Sequence, residues 1–590
     1  MNYEIIEAPE DLEKLIIYEI ATKGFTSPNG AESGTFMSLE GKMPYLNELG
    51  INGIWLSGHQ YCDGNHFYNI WTEYACIRPD QLDPTLGTEA EFKSMIQTAH
   101  AYGIKVFLDV ITHGVMKDSS LVKEHPDWFN GESWGMKDFD WYGGKKELDE
   151  WWIETWLRYI TEFDIDGYRL DVAHYRNDLW AEIRKRSLAA GKRMILIAEN
   201  GPSTRGVIDL LQHGESVSHN FGVNQSSRIL SDVGGYFKDR QSRVNDNYEV
   251  EIFYTDGTVQ NSRQNNWYEK GKVPELIWEG TESRIVNSKT YEVAFQEQVG
   301  KLRIENSYGE KEIKNIQMQD RQGQLWNSTI LLDGIIEVDY RISYQKKANQ
   351  LLLEFPLRIQ DGQYMSVQLS GHDNGWEGYP LDKTPYAAQG SRYLLGYTAL
   401  LAPGIPIFMA GEEFDAGYRP LPNLAPNLFG KERIGEGRWL YGSWLDWDQL
   451  EIAGKRDTLN DTKRIIAIRK QYADVMKPLK MGEAHPNFGK LNYKSSSELP
   501  VPYYYQSAEI VLVICANPSE KLDVSLKLEM EPVLSETIKW EVTALFGQLP
   551  NQQVSFVGTP QEIANKNWEI SRDKSLHGGL LVLKMEKLTE

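Results

Sequence analysis

Asp166-Gly167-Tyr168-Arg169-Leu170-Asp171 and, one helix length further on, Ile195-Leu196-Ile197-Ala198-Glu199 are short apolar runs that each deliver a carboxylate at the end. Runs of this kind, with little polar alternation, read as strands buried on both faces. Arg169 and Asp171 are two apart, so on a strand both side chains leave the same face. An arginine beside a carboxylate favours its ionised form, which a nucleophile needs. A buried structural ion pair is the competing reading of that stretch taken alone. Glu199, at the tip of an apolar run, sits where burial raises proton affinity and suits a carboxylic acid to general acid work.

Working outward, residues 15–20, 51–56 and 104–111 are further runs of the same kind. Between the second and third, Thr88-Glu89-Ala90-Glu91 has the form of a helix capping box, Phe92, Met95, Ile96 and His100 share one face, and Gly103 closes the helix. Residues 147–163 repeat apolar side chains at helical spacing through Leu148, Trp152, Trp156, Tyr159 and Ile160. Repeated strand–helix units with short loops imply a parallel sheet, open or closed. No Gly-x-Gly-x-x-Gly follows the first strand, which weakens the open, dinucleotide-binding form. Ser57, Asp109, His113, Arg169, Asp171 and Glu199 all fall at or just past the C-terminal ends of successive strands. A closed barrel gathers those ends into one ring, so the expected fold is α/β, a (β/α)8 TIM barrel.

The rhythm changes between 247 and 355, where short β-type runs alternate with turns such as Asp256-Gly257 and Asp333-Gly334, predicting a β-rich insertion. Barrel-like runs resume at 365–369, ahead of Gly371-His372-Asp373, and at 405–408, followed by a helix over 458–472. Beyond residue 480 the chain is β-rich again, predicting a C-terminal antiparallel β-sandwich.

The 590 residues carry 84 acidic against 62 basic side chains, a formal net charge of −22. Such a balance disfavours a nucleic acid or an anionic membrane as partner and suits a neutral ligand. Three cysteines, Cys62, Cys76 and Cys515, are too few for a disulfide framework and lack zinc-site spacing. The N-terminus has no basic region leading into an apolar stretch, and no apolar run is long enough to span a bilayer, so a cytoplasmic location is expected. The 18 Trp and 31 Tyr fit either large cores or flat platforms for sugar rings.

These carboxylate-tipped strands resemble the signature regions of the α-amylase superfamily, glycoside hydrolase family 13. The resemblance implies a retaining glycoside hydrolase acting on α-glucosidic bonds of oligosaccharides or α-glucans through a covalent glycosyl-enzyme. A transglycosylase using the same intermediate, or a non-catalytic carbohydrate-binding relative, are the alternatives. By the same resemblance Asp171 is the nucleophile, Glu199 the acid and base, and Asp373 the carboxylate that holds the sugar hydroxyls. Arg169 orients Asp171, His113 and His372 bind hydroxyls, Tyr68 stacks under the sugar, and His174 stands where many amylases carry a lysine. Two carboxyls of a retaining pair lie roughly 5–5.5 Å apart. The implied division is barrel at 1–113, 147–246 and 356–480, a rudimentary domain B at 114–146, the insertion at 247–355 and the sandwich at 481–590.

Departures from the family pattern carry expectations too. Thr112 replaces the asparagine that often ligates a structural calcium, and threonine is a poor ligand, so no metal and no cofactor is expected. The acidic pair Glu412-Glu413, after the last barrel run, reads as structural.

Overall fold

The computed structural model describes residues 12–199 apart from 31–32, 63–73, 142 and 173–174. It further describes 217–218, 244–261, the strands between 275 and 368, 372, 396, 399–400, 404–420 and 443–476, and 488–588 apart from 496–501, 518–522, 531–532, 535–537 and 572–578.

Eight strands close into a barrel: β1 (Ile17–Ala21), β2 (Gly53–Ser57), β3 (Lys105–Ile111), β4 (Gly167–Asp171), β5 (Ile195–Ala198), β6 (Val217–Ser218), β7 (Tyr364–Gln368) and β8 (Ile405–Met409). Every neighbouring pair is parallel, and β8 returns to β1 with Ile17 opposite Ile407. The expected closed α/β barrel is present. The helices Glu89–Ala101, Lys146–Phe163 and Asn177–Ala189 follow β2, β3 and β4, and Ala453–Gln471 follows β8. The Thr88 hydroxyl accepts from the Glu91 amide while the Glu91 carboxylate accepts from the Thr88 amide, which is the capping box read in the sequence. Gly167 opens β4 with φ of +151°, and a Cβ there would lie 1.8 Å from the Ile195 carbonyl oxygen, so only glycine lets β4 and β5 approach.

The period of two along each strand sorts the barrel into layers. Tyr18, Ile20, Ile54, Leu56, Val106, Leu108, Tyr168, Leu170 and Leu196 point outward into the core beneath the helices. Ile17, Trp55, Phe107, Ile195, Ile197, Ile405 and Ile407 point inward and form an apolar floor. One step further toward the strands' C-terminal ends the inward positions turn polar: Glu19, Asp109, Arg169 and Asp171, all buried. The polar ring therefore stands on a dry floor.

Further β regions accompany this frame, among them two short two-stranded ladders, Gln60–Cys62 with Cys76–Leu82 and Tyr418–Pro420 with Ser443–Leu445. Gly114–Met116, Met136–Phe139 and Phe129–Ser133 form a small antiparallel sheet in the connection after β3. Between β6 and β7 the chain builds two antiparallel sheets, one running Thr281–Ile285, Thr290–Phe295, Val244–Tyr254, Ile313–Asp320 and Leu325–Thr329. The other runs Glu275–Trp278, Val299–Glu305, Gln350–Pro356, Ile342–Lys347 and Ile335–Val338. After residue 488 come a six-stranded and a three-stranded antiparallel sheet. Along Ile510–Asn517 the alternation serves two cores: Val511, Val513 and Cys515 meet Leu526, Leu528, Trp568 and Ile570 of the three-stranded sheet, whereas Leu512 and Ile514 join the barrel's outer core. Among the described residues no helix is long and apolar enough to cross a membrane.

Candidate active site

The polar ring at the C-terminal mouth is organised around Arg169, which is fully buried. Its Nη1 donates to Asp109 Oδ1 at 3.0 Å, to Asp171 Oδ1 at 2.9 Å and to the Tyr74 hydroxyl at 3.1 Å. Its Nη2 lies 3.2 Å from Glu199 Oε1, and its guanidinium sits 4.8 Å over the Trp55 ring. One cation thus faces three carboxylates. Burial opposes its charge, but the carboxylates and Tyr74 outweigh that and keep Arg169 firmly protonated.

Asp171 sits on the inward face two residues beyond Arg169, as the spacing required. Its surroundings pull its acidity in both directions. Burial, and next the neighbouring Glu199 charge, push the Asp171 carboxyl well above the ordinary range, and the opposing attraction of Arg169 does not restore it. The reason is the sharing of Arg169: the sequence pairs it with one carboxylate, whereas the fold gives it three.

The chain just after the nucleophile candidate is strained. Val172 has φ of +48°, a left-handed conformation that a β-branched residue seldom adopts. Two contacts hold it there: the Val172 amide donates to Glu199 Oε2 at 2.6 Å, and the Thr112 hydroxyl bonds the carbonyls of Asp171 and Val172 at 2.5 and 3.0 Å. The strained peptide therefore fixes the Glu199 carboxyl relative to Asp171. Val172→Gly is expected to raise stability by about 1 kcal/mol by releasing this strain. The same freedom loosens the Glu199 carboxyl, so kcat should fall roughly tenfold, about 1.4 kcal/mol. Thermal melts and initial rates check both, and a stabilised variant with undiminished kcat would show that the strain has no catalytic purpose.

Around this centre His113 Nε2 lies 3.8 Å from Asp171 Oδ2, and its Nδ1 lies 3.6 Å from Asp138 Oδ1. His372 is buried: its Nε2 shares a proton with the Tyr74 hydroxyl at 2.9 Å, and its Nδ1 meets Glu19 Oε1 at 2.5 Å. Tyr74 stacks on the His372 ring at 5.1 Å and also reaches Asp109 Oδ2 at 3.1 Å. Trp55 Nε1 donates to the same oxygen at 2.9 Å. A continuous polar chain thus runs Glu19–His372–Tyr74–Asp109–Arg169–Asp171.

Of the residues singled out by sequence, the structure brings Arg169, Asp171, Glu199, His113 and His372 into one cluster. Tyr68, His174 and Asp373 lie outside the described residues. Sequence reasoning missed Glu19, Trp55, Tyr74 and Asp138. For Glu19 a signal existed, because it is the one charged residue in the apolar run Ile16-Ile17-Tyr18-Glu19-Ile20.

Thr112 and Asp109 bear on the calcium question. The Thr112 carbonyl accepts from Trp141 Nε1 at 2.8 Å while its hydroxyl is engaged with the β4 carbonyls. Asp109 is committed to Arg169, Trp55 and Tyr74. Oxygens already held by protein donors do not fit a calcium ion, which needs six to eight oxygen ligands. The Glu412-Glu413 pair is bound into the fold: Glu412 accepts from the Met409 amide, and Glu413 from the Gly411 amide and the Tyr18 and Tyr45 hydroxyls.

Comparison with known proteins finds similarity over part of the chain. The α-amylase catalytic-domain family matches residues 19–143, the stretch holding β1, β2, β3, Tyr74, Asp109 and His113. That match and the relatives that follow make the chain similar to members of the α-amylase superfamily, glycoside hydrolase family 13. A maltogenic α-amylase of Bacillus acidopullulyticus is 27% identical over 240 residues, 33% of this chain and 40% of that protein. A cyclomaltodextrinase of Thermoanaerobacter pseudethanolicus is 27% identical over 243 residues, 33% of this chain and 41% of that protein. The chain therefore spans about two fifths of the length of the curated relatives it matches. An α-amylase from Geobacillus thermoleovorans, solved with acarbose, shares the fold at a TM-score of 0.59 and 16% identity, over 98% of this chain and all of that one. The mouth of the barrel is where this chain's ionised and hydrogen-bonding side chains converge.

Proposed function

We propose that this chain is a retaining glycoside hydrolase that cuts α-glucosidic bonds of α-gluco-oligosaccharides or α-glucans through a covalent glycosyl-enzyme. The observation that carries the reading is Arg169 held between Asp109, Asp171 and Glu199 at the mouth of the barrel. Ionised Asp171 attacks the anomeric carbon from one face of the sugar. Glu199, more open to solvent than Asp171, gives its proton to the departing glycosidic oxygen and then takes one from the incoming water. This division of labour needs one carboxyl charged and the other not.

His113 and His372 face the ring being cleaved and donate to its hydroxyls, and Asp373 takes the third carboxylate role. Tyr68 stacks beneath that ring and His174 meets the leaving side. The relatives named as a maltogenic amylase and a cyclomaltodextrinase support the substrate class, as does a cleft whose excess charge is negative and so suits a neutral ligand. The domain division read in the sequence is retained as part of the proposal, including 114–146 as a small domain B and the two C-terminal sheets as a sandwich. A cytoplasmic site of action is proposed with it, supported by a relative named intracellular maltogenic amylase.

Time courses on maltose, isomaltose, trehalose, maltooligosaccharides, cyclic glucans and starch test the reading. The expected result is release of short maltooligosaccharides or glucose as the α-anomer first. Longer or relinked products would assign the transglycosylase instead. Release of the β-anomer, or no turnover of any α-glucan, would overturn the proposal.

A further inference from the structure

Many of the aromatic side chains among the described residues are core. Trp55, Trp128, Trp141, Trp152, Trp156, Trp180, Trp540 and Trp568 are all buried. Trp134 is different: it is 56% exposed, and among the described residues it is the one tryptophan with a largely open side chain. It lies at the tip of the hairpin Phe129–Ser133 and Met136–Phe139, in the two-residue turn Trp134-Gly135. Both turn residues have positive φ, +48° and +83°. Such a turn asks for asparagine, aspartate or glycine at its first position, and a bulky aromatic there is strained. A chain selected only for its fold would not place an exposed tryptophan at that position.

The hairpin tip is also tied to the catalytic cluster. The Trp134 ring meets the His113 ring edge-on at 5.0 Å and 64°, and His113 Nε2 is 3.8 Å from Asp171. The hairpin's own Asp138 flanks His113 Nδ1 at 3.6 Å and accepts from the Ser133 hydroxyl at 2.7 Å. A flat apolar ring is thus presented to solvent one residue away from the candidate nucleophile.

We infer that Trp134 is a sugar-stacking platform that binds a further glucosyl ring of the α-glucan, beyond the ring that is cleaved, and so sets chain-length preference. This rests on the proposed function and deepens it. A pyranose ring offers a face of C–H groups that packs on an aromatic plane without losing its equatorial hydroxyls to desolvation. An uncharged ring also suits a hairpin whose Asp138 carboxylate, beside His113, would repel an anion.

The test compares kcat/KM for maltotriose and maltoheptaose in the wild type, Trp134→Asn and Trp134→Phe. Asparagine tolerates the left-handed turn, so the first variant should melt no lower than the wild type. It should nevertheless lose about tenfold in the preference for the longer substrate, the scale of one stacked ring. Phenylalanine keeps a flat ring and should recover most of that preference. Tyr102→Ser, which removes an exposed aromatic at a helix end, is the control for loss of surface apolarity. Quenching of tryptophan fluorescence by maltoheptaose, and its loss in Trp134→Phe, reads binding without turnover. An unchanged chain-length profile together with unchanged quenching in Trp134→Asn would overturn the platform while leaving the hydrolase intact. Trp134-dependent quenching in a wild type that cuts no α-glucan would retain the platform and remove the hydrolase. A wild type that neither binds nor cuts maltooligosaccharides removes both.

Discussion

Asp171→Asn is expected to abolish turnover and, at neutral pH, to raise the melting temperature. The first effect follows from chemistry: an amide cannot form the glycosyl ester, so the covalent route closes and kcat should fall by at least about 10³-fold. The second follows from the crowding of carboxylates on Arg169. Burial and Glu199 hold the Asp171 carboxyl well above its ordinary range. Between the ordinary and the raised value the folded protein binds more protons than the unfolded chain, so stability falls as pH rises through that window. Asparagine does not titrate and escapes this loss. The stability gain of Asp171→Asn should therefore be largest near neutrality and shrink toward pH 4, near the unperturbed aspartate value. Melting curves of both proteins across pH, with rates on maltooligosaccharides, check it. Turnover near the wild-type level removes Asp171 as nucleophile, and a gain that grows as pH falls contradicts the charge assignment.

That stability cost is a property no single stretch of sequence encodes. The strands were legible because each is a short apolar run, and the tips because Asp109, Arg169, Asp171 and Glu199 break those runs at an inward position. Parity then places all of them on the barrel's inner face, and the closed ring of eight parallel strands brings them together. Val217–Ser218 escaped because two residues carry no period. Tyr74 escaped because it comes from irregular chain between β2 and β3, and only the fold sets its hydroxyl between Arg169 and His372. Trp134 escaped for the opposite reason: composition offered core and platform equally, and only exposure separates it from its buried neighbours. The raised proton affinity of the Asp171 carboxyl escaped, because counting how many carboxylates share one arginine needs contacts between three strands. Position is local; protonation is collective.

Arg169 should be the most damaging position to change for both stability and rate. Arg169→Met removes the guanidinium that faces Asp109, Asp171 and Glu199 and takes its charge away from those carboxylates. Breaking a buried ion pair from one side costs about 3–5 kcal/mol. With three carboxylates losing the same guanidinium together, the methionine variant is expected to melt far below the wild type or fail to accumulate folded. Arg169→Lys separates charge from geometry. The ammonium keeps the positive charge over Trp55 but lacks the planar fork that reaches Asp109, Asp171 and Glu199 from two nitrogens. It should fold, yet lose on the order of 10²-fold in kcat/KM, about 2.7 kcal/mol, because the nucleophile and the acid are no longer held in register. The pH profile adds a reading that a purely structural role would not give. Arg169 is the charge that lowers the Asp171 carboxyl against burial and Glu199, so weakening it moves the acid limb of kcat/KM to higher pH. A lysine variant with wild-type rates, or with reduced rates and an unmoved acid limb, would make Arg169 a packing residue. The shifted limb would instead tie its fully buried guanidinium directly to the ionisation on which glycosyl transfer depends.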